Sequence, residues 1–149
     1  MARVCTPVSV VTAMSGLLPH GTTVSAFASL SMQPPMVLVS LDQTSDLLRL
    51  ISQARQFGVN VLASTQADLA RIFARKGGTG KFSGVNWHID EGVPRIPETA
   101  GFLACHASDL VDAGDHVIVL GTVLATATAE KPPLTYHARG FGTHAPLKA

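Results

Sequence analysis

Cysteine, aromatic residues, net charge and long apolar runs are all scarce in this 149-residue chain. Its two cysteines, Cys5 and Cys105, sit in apolar surroundings without CxxC spacing. That argues against a disulfide-stapled scaffold and predicts buried thiols in a reducing, cytoplasmic compartment. The six histidines pair with no cysteine or carboxylate at helical or hairpin spacing, so no metal site is expected. A formal net charge of +1 with scattered Lys and Arg gives no electrostatic footprint for nucleic acid and no basic helix for a membrane surface. No apolar stretch approaches bilayer-spanning length, and the N-terminus carries no signal-peptide pattern, so the chain is expected to be the whole mature chain. Familiar catalytic signatures are missing too: there is no GxSxG elbow and no GxGxxG opening a helix. Residues 75–82, RKGGTGKF, imitate a phosphate-binding loop, but Arg75 stands where the first glycine belongs and Phe82 where Ser or Thr must meet magnesium.

What is present is apolar, small and hydroxylated. With 46% hydrophobic and only 14% charged residues, the chain is sized for one core and one domain over residues 1–149, with apolar surface to spare for a homodimer. Residues 21–41, GTTVSAFASLSMQPPMVLVSL, alternate small hydroxyl and apolar side chains. Thr23, Ser25, Ser29, Ser31 and Ser40 offer hydrogen bonds along a rigid wall suited to a flat or phosphorylated ligand. Taken alone, the same alternation also fits the solvent face of a half-buried strand.

Strands are expected over residues 8–13, 23–29, 36–41 and 57–62, with a loop over 14–21 and an interruption at Pro34 and Pro35, which cannot donate to a ladder. Thr44 or Ser45 caps a helix bearing Leu47, Leu48, Leu50, Ile51 and Ala54 on one face, closed by Gly58. A second helix begins near Thr65 and buries Leu69, Ile72 and Phe73, with Arg71, Arg75 and Lys76 suiting its C-terminal dipole and Gly77 and Gly78 stopping it. Residues 84–100 are irregular, with Trp87 anchoring a short strand, and β-rich stretches follow over 101–107, 115–128 and 134–136. The pattern is mainly β and fits an antiparallel barrel with two short flanking helices.

The order of these pieces resembles the flavin reductase family, whose members have an FMN-binding split barrel. The matching pieces are PVSVVTA at 7–13, HGTTVSAFASLSMQPPMVLVSLDQTSDLL at 20–48, FGVNVLASTQADLARIFA at 57–74 and GKF at 80–82. FLACHA at 102–107, GDHVIVLGTV at 114–123 and PLTYHARGF at 133–141 complete the order over nearly the whole chain. The resemblance implies a split antiparallel, Greek-key-like β-barrel that passes hydride from NADH or NADPH to FMN or FAD. It also implies supply of reduced flavin to a separate flavin-dependent monooxygenase. The alternatives are a non-enzymatic flavin or electron carrier and a split-barrel oxidase of a small substrate, although no Arg and Lys clamp for a substrate phosphate is evident.

By the same resemblance, Thr23, Val24, Ser25 and Ala26 lie along the isoalloxazine and ribityl chain. Ser40, Leu41, Asp42, Thr44 and Ser45 match the phosphate-side loop, where a helix N-terminus can hold an anion. The bland role of Thr44 and Ser45 is a helix cap, compatible with the first. Lys81 and Phe82 match a basic and aromatic pair closing over the phosphate or dimethylbenzene end; otherwise they are a solvated lysine and a core phenylalanine. Asn60 either bonds the cofactor or satisfies strand edges. His116 resembles the histidine that meets the nicotinamide, and Tyr136 matches the segment bordering that pocket, with a barrel-closing aromatic as its other reading. The absence of an acid–base pair suits hydride transfer between stacked rings. Family members commonly have a helical lead-in before the first strand, whereas this chain reaches Pro7 almost at once.

Overall fold

The computed structural model describes residues 2–148. In chain order the elements are β1 (Thr6–Pro7), β2 (Ser9–Ser15), β3 (Leu18–Val24), β4 (Phe27–Met32), β5 (Pro35–Asp42), α1 (Asp46–Ala54), β6 (Gln56–Val61) and α2 (Ala67–Ala74). They continue with β7 (His88–Asp90), β8 (Val93–Arg95), β9 (Gly101–Ala113), β10 (His116–Thr128), β11 (Leu134–His137) and β12 (Gly140–Thr143). A seven-stranded antiparallel sheet in the order β3-β2-β6-β9-β10-β5-β4 forms the split barrel. A three-stranded sheet, β1-β11-β12, and the β7–β8 hairpin flank it. The strands at the two ends of the long ladder, β3 and β4, are consecutive in sequence, joined only through Ser25 and Ala26.

Two apolar clusters share β2, which is buried along most of its length because both of its faces are covered. Val11 and Ala13 join Val37, Val39, Phe57, Val59, Val117 and Val119 inside the barrel, where α1 contributes Leu47, Leu48, Leu50 and Ile51. Val8 and Val10 join Leu62, Ala70, Phe73, Phe82, Ile96 and Leu134 on the other side. Cys105 lies in the first cluster, and burial pushes its thiol up to about 12, leaving it inert. Cys5, in contrast to the expectation of two buried thiols, is exposed. Gly121 is required by packing: an added Cβ would lie 2.5 Å from Cζ of Phe57.

Ser45 caps α1 as expected, its Oγ accepting from the Leu48 N–H at 3.4 Å. Its end differs from the expectation. Arg55, at φ 57°, takes the left-handed position and its N–H donates to Ile51 O at 2.8 Å, so the helix closes before Gly58. Gly58 lies inside β6, where an added Cβ would meet Thr12 Oγ1 at 2.6 Å. The loop expected over 14–21 is mostly strand: β3 starts at Leu18 and pairs with β2 around a tight turn at Gly16 and Leu17. Pro19 is tolerated because β3 ends the ladder, and Gly21 serves contact rather than turning, with the Phe73 and Phe82 rings 3.1 and 3.3 Å from where its Cβ would stand. The expected strand over 23–29 breaks at Ser25 and Ala26.

Candidate functional site

The break between β3 and β4 opens onto a cavity of about 690 Å³. One wall is the second half of β3 with Ser25 and Ala26; another is the end of β5, from Ser40 to Asp42, leading into α1. Ala74 at the end of α2 and residues 75–78 after it, together with Lys81, line a third side, and His116 at the head of β10 completes the lining. Ser40 N donates to Ala26 O at 3.0 Å, which holds the β3–β4 link against β5. Thr23 uses its hydroxyl to donate to Ala70 O at 2.7 Å, so α2 is fixed to the wall and the Thr23 oxygen keeps its acceptor capacity. Val24 turns its side chain into the core, leaving backbone to border the cavity.

At the α1 end the polar groups largely satisfy one another. One Asp42 carboxylate oxygen accepts from Thr44 N at 2.7 Å and from Thr44 Oγ1 at 2.6 Å. Those two bonds hold the Asp42 carboxyl below the usual carboxylate range, with His116 and Lys76 adding to the effect. Gln43 fastens this loop to the β9–β10 turn: its N–H donates to Asp115 O at 3.1 Å and its Nε2 to Gly114 O at 2.9 Å. That clamp sets His116, which pairs with Asp42 in the ladder, against the cavity. His116 Nδ1 lies 2.8 Å from Asp115 Oδ1. Because an ionised carboxylate only accepts, Nδ1 carries the hydrogen and Nε2 is the ring atom left for a ligand.

The α2 side is cationic. Lys81 donates its ammonium to Gly21 O and Phe73 O, each at 3.1 Å, and partial burial holds it below its ordinary value. It is therefore neither a simple solvated lysine nor a free charge. His20 also lines the cavity, and burial keeps it below its ordinary value, opposed by Asp46 and assisted by Arg49 and Lys81. Arg75 and Lys76 fall outside α2, which ends at Ala74, and line the cavity instead of neutralising the helix dipole. His20, Arg75 and Lys76 are absent from the sequence-based set of site residues. The signal was visible, since the basic, glycine-rich run 75–80 resembles a phosphate loop in composition while failing its register.

Of the residues singled out in the sequence, the structure brings Thr23, Val24, Ser25, Ala26, Ser40, Leu41, Asp42, Thr44, Ser45, Lys81 and His116 to one cavity. Three stand apart from its lining. Asn60 is fully buried, its Nδ2 directed at Val10 O, Thr12 Oγ1 and Pro94 O at 3.2 to 3.3 Å and its Oδ1 accepting from Ile96 N at 2.8 Å. This network uses the amide to pin the segment after β8 to β2, so a cofactor bond is replaced by a structural one. Phe82 is a core residue, edge-on to Phe73 at 4.8 Å and to Trp87 at 5.7 Å between centroids. Tyr136 lies on β11 against Phe141, at 5.3 Å, on the flanking sheet.

The profile of the family described as Flavin reductase like domain matches residues 1–145. The chain is 41% identical over 138 residues to FMN reductase (NADH) SmoA of Agrobacterium fabrum (strain C58 / ATCC 33970), spanning 92% of this chain and 78% of that protein. It is 37% identical over 141 residues to the reductase component of the 4-nitrophenol 4-monooxygenase/4-nitrocatechol 2-monooxygenase of Rhodococcus opacus, spanning 95% and 76%. Among solved structures it is similar to the NADH:FAD oxidoreductase SgcE6 of Streptomyces globisporus C-1027 in complex with NAD and FAD fragments. That pair superposes with a TM-score of 0.91 at 30% identity, covering 97% of this chain and 88% of the other.

Proposed function

The chain belongs to the flavin reductase family, and on that premise we propose that it is a single-domain enzyme passing hydride from NADH or NADPH to FMN or FAD. The observation that carries this reading is the cavity itself: about 690 Å³, walled by small residues, with His116 in its lining. Its volume falls within the roughly 300–1,000 Å³ of small-molecule and cofactor sites. A bound flavin supplies the electronics of hydride acceptance, so the protein's task is binding and alignment. Thr23, Val24, Ser25 and Ala26 form the flat seat for the ring, with Ser40 and Leu41 beside them. His116, with Nδ1 held by Asp115, presents Nε2 to the nicotinamide side. The Gln43 clamp keeps that histidine in register with the seat.

Reduced flavin is then delivered to a separate monooxygenase, as the naming of the Rhodococcus opacus relative as a reductase component supports. Exposed Leu30, Met32, Val111 and Leu124 on strands of the long sheet support a homodimer, which light scattering on the purified protein tests. No helix among the described residues is long and apolar enough to cross a membrane. The free thiols of Cys5 and Cys105 support a cytoplasmic home. The reading is tested by following NADH and NADPH oxidation with FMN and with FAD. Turnover is expected only when flavin is present, and no turnover in any of the combinations refutes it. Flavin binding without nucleotide oxidation would make the protein a carrier instead.

A further inference from the structure

Every residue from Ser40 to Leu47 lines the cavity except Gln43, which is exposed and spends its side-chain amide on the β9–β10 turn instead. We infer that Gln43 is a positioning residue for hydride transfer, a role that rests on the flavin reading of the cavity. Acting from outside the cavity through Asp115, it fixes the tautomer and orientation of the His116 ring, so nucleotide oxidation depends on it and flavin binding does not.

The turn that carries His116 cannot steady itself. Only Gly114 and Asp115 stand between the paired Ala113 and His116, and Gly114 takes φ 67°, the left-handed conformation that suits glycine as first central residue of so tight a turn. Residues 111–115 are all exposed, so no packing holds the tip. Gln43 Nε2 donates to Gly114 O at 2.9 Å, and among the described residues no other side chain from outside β9 and β10 bonds to this turn. The Gln43 N–H adds a bond to Asp115 O at 3.1 Å.

The other end of the strut is rigid. Asp42 accepts from both the N–H and the hydroxyl of Thr44, and Ser45 N donates to Asp42 O at 3.0 Å, so Gln43 projects from a tied loop. Beyond the turn, Asp115 Oδ1 lies 2.8 Å from His116 Nδ1. Amide, turn carbonyl, carboxylate and imidazole therefore form one chain from the β5–α1 loop to His116 Nε2. Pairing with Asp42 and Ala113 fixes the backbone of His116, but it leaves the Asp115 carboxylate to the turn. Releasing Gly114 O frees that carboxylate, and with it the ring, whose alignment sets the rate of a transfer between stacked groups.

The test compares full-length wild type with Gln43→Ala, Gln43→Glu and Gln43→Lys, and with Gln43→Ala combined with His116→Ala. Ala removes the amide and Glu replaces its donor with an acceptor that Gly114 O cannot bond, so both are expected to lower kcat/KM for NADH or NADPH by about three- to tenfold. KM for FMN or FAD is expected to stay within about twofold. Lys restores a donor and is expected to stay within about twofold of wild type throughout. In the His116→Ala background the Gln43→Ala loss is expected to vanish, because it passes through the imidazole. Nitrogen NMR of the flavin-free protein, with the His116 signals assigned by their loss in His116→Ala, gives a second readout. Wild type and Gln43→Lys are expected to show the Nδ1–H tautomer, and Gln43→Ala a mixture of tautomers. An unchanged tautomer or unchanged kcat/KM in Gln43→Ala overturns the inference. So does an additive loss in the double variant, a Gln43→Lys protein as slow as Gln43→Ala, or a lowered thermal midpoint with nucleotide and flavin affected alike. A wild-type protein that oxidises neither nucleotide with either flavin would instead overturn the flavin reading.

Discussion

Asn60 separates a structural amide from a cofactor ligand, and its replacement by Ala decides between them. The side chain is fully buried, accepts from the Ile96 N–H at 2.8 Å and shares its amide hydrogens among Val10 O, Thr12 Oγ1 and Pro94 O. Truncation orphans the Ile96 N–H in a dry interior, which costs about 1–3 kcal/mol. Pro94 O keeps the Thr12 hydroxyl at 2.7 Å, so its loss is small. The lost amide donors and the space left behind add about 1 kcal/mol more. The sum is roughly 3 kcal/mol, and for a domain near this size each kcal/mol moves the midpoint by about 2–4 °C, so a drop of about 6–12 °C is expected. Thermal and urea unfolding measure it, alongside a flavin titration on the folded fraction. Asn60→Asp keeps the acceptor for Ile96 but points a carboxylate at two carbonyls. It is expected to be worse near neutral pH and to recover partly on acidification, because a buried carboxylate with no cation has a raised folded pKa. A midpoint within about 2 °C of wild type, together with weakened flavin binding, would refute the structural assignment.

Gly121→Ala is expected to cost about 1–3 kcal/mol by overpacking, since its Cβ would stand 2.5 Å from the fully buried Phe57 ring. A double-mutant cycle with Phe57→Leu should recover part of that loss. Ser9→Ala is expected to raise unfolding stability by about 1 kcal/mol, because Ser9 Oγ is buried with no hydrogen-bond partner among the described residues. A lower denaturation midpoint in that variant would expose an overlooked partner. His20 has a folded pKa below its ordinary 6.5, with burial the first cause. The unfolded chain therefore binds a proton that the folded one refuses, and stability falls as pH drops below 6.5 toward the folded pKa and levels off beneath it. Urea midpoints across that range should show this limb in wild type and lose it in His20→Gln.

The β-branched runs that became β2, β5, β6, β9 and β10 were legible because central strands need continuous or alternating apolar faces, and Ser45 was legible as a cap. The end of α1 was not, since nothing in the identity of Arg55 marks a left-handed residue; Ile51 O receives its N–H only once the chain turns into β6. Pro19, His20 and Gly21 read as a loop because Gly21 suggests turning, whereas its purpose is room for two phenylalanine rings packed from later in the chain. Motif order located the cavity wall from Thr23 to Ala26 and the loop from Ser40 to Ser45. It could not say which way a side chain faces, so Asn60 and Phe82 were grouped with the wall although both belong to the interior. Arg75 and Lys76 were assigned to a helix that stops before both of them, at Ala74.

The link at Ser25 and Ala26 has a consequence for how the chain folds. The hairpins β2–β3, β4–β5 and β9–β10 are local and can form early, but the ladder from β3 round to β4 also requires the β2–β6, β6–β9 and β5–β10 pairings, which join distant parts of the chain. The β3, β5 and β10 sides of the cavity come from different parts of that circuit, so an intermediate in which β3 and β5 are not yet joined through the long-range pairings lacks the assembled pocket. Ligand binding thus reports completion of the fold, and a ligand present during refolding selects the fully paired state by mass action and does not speed the early hairpins.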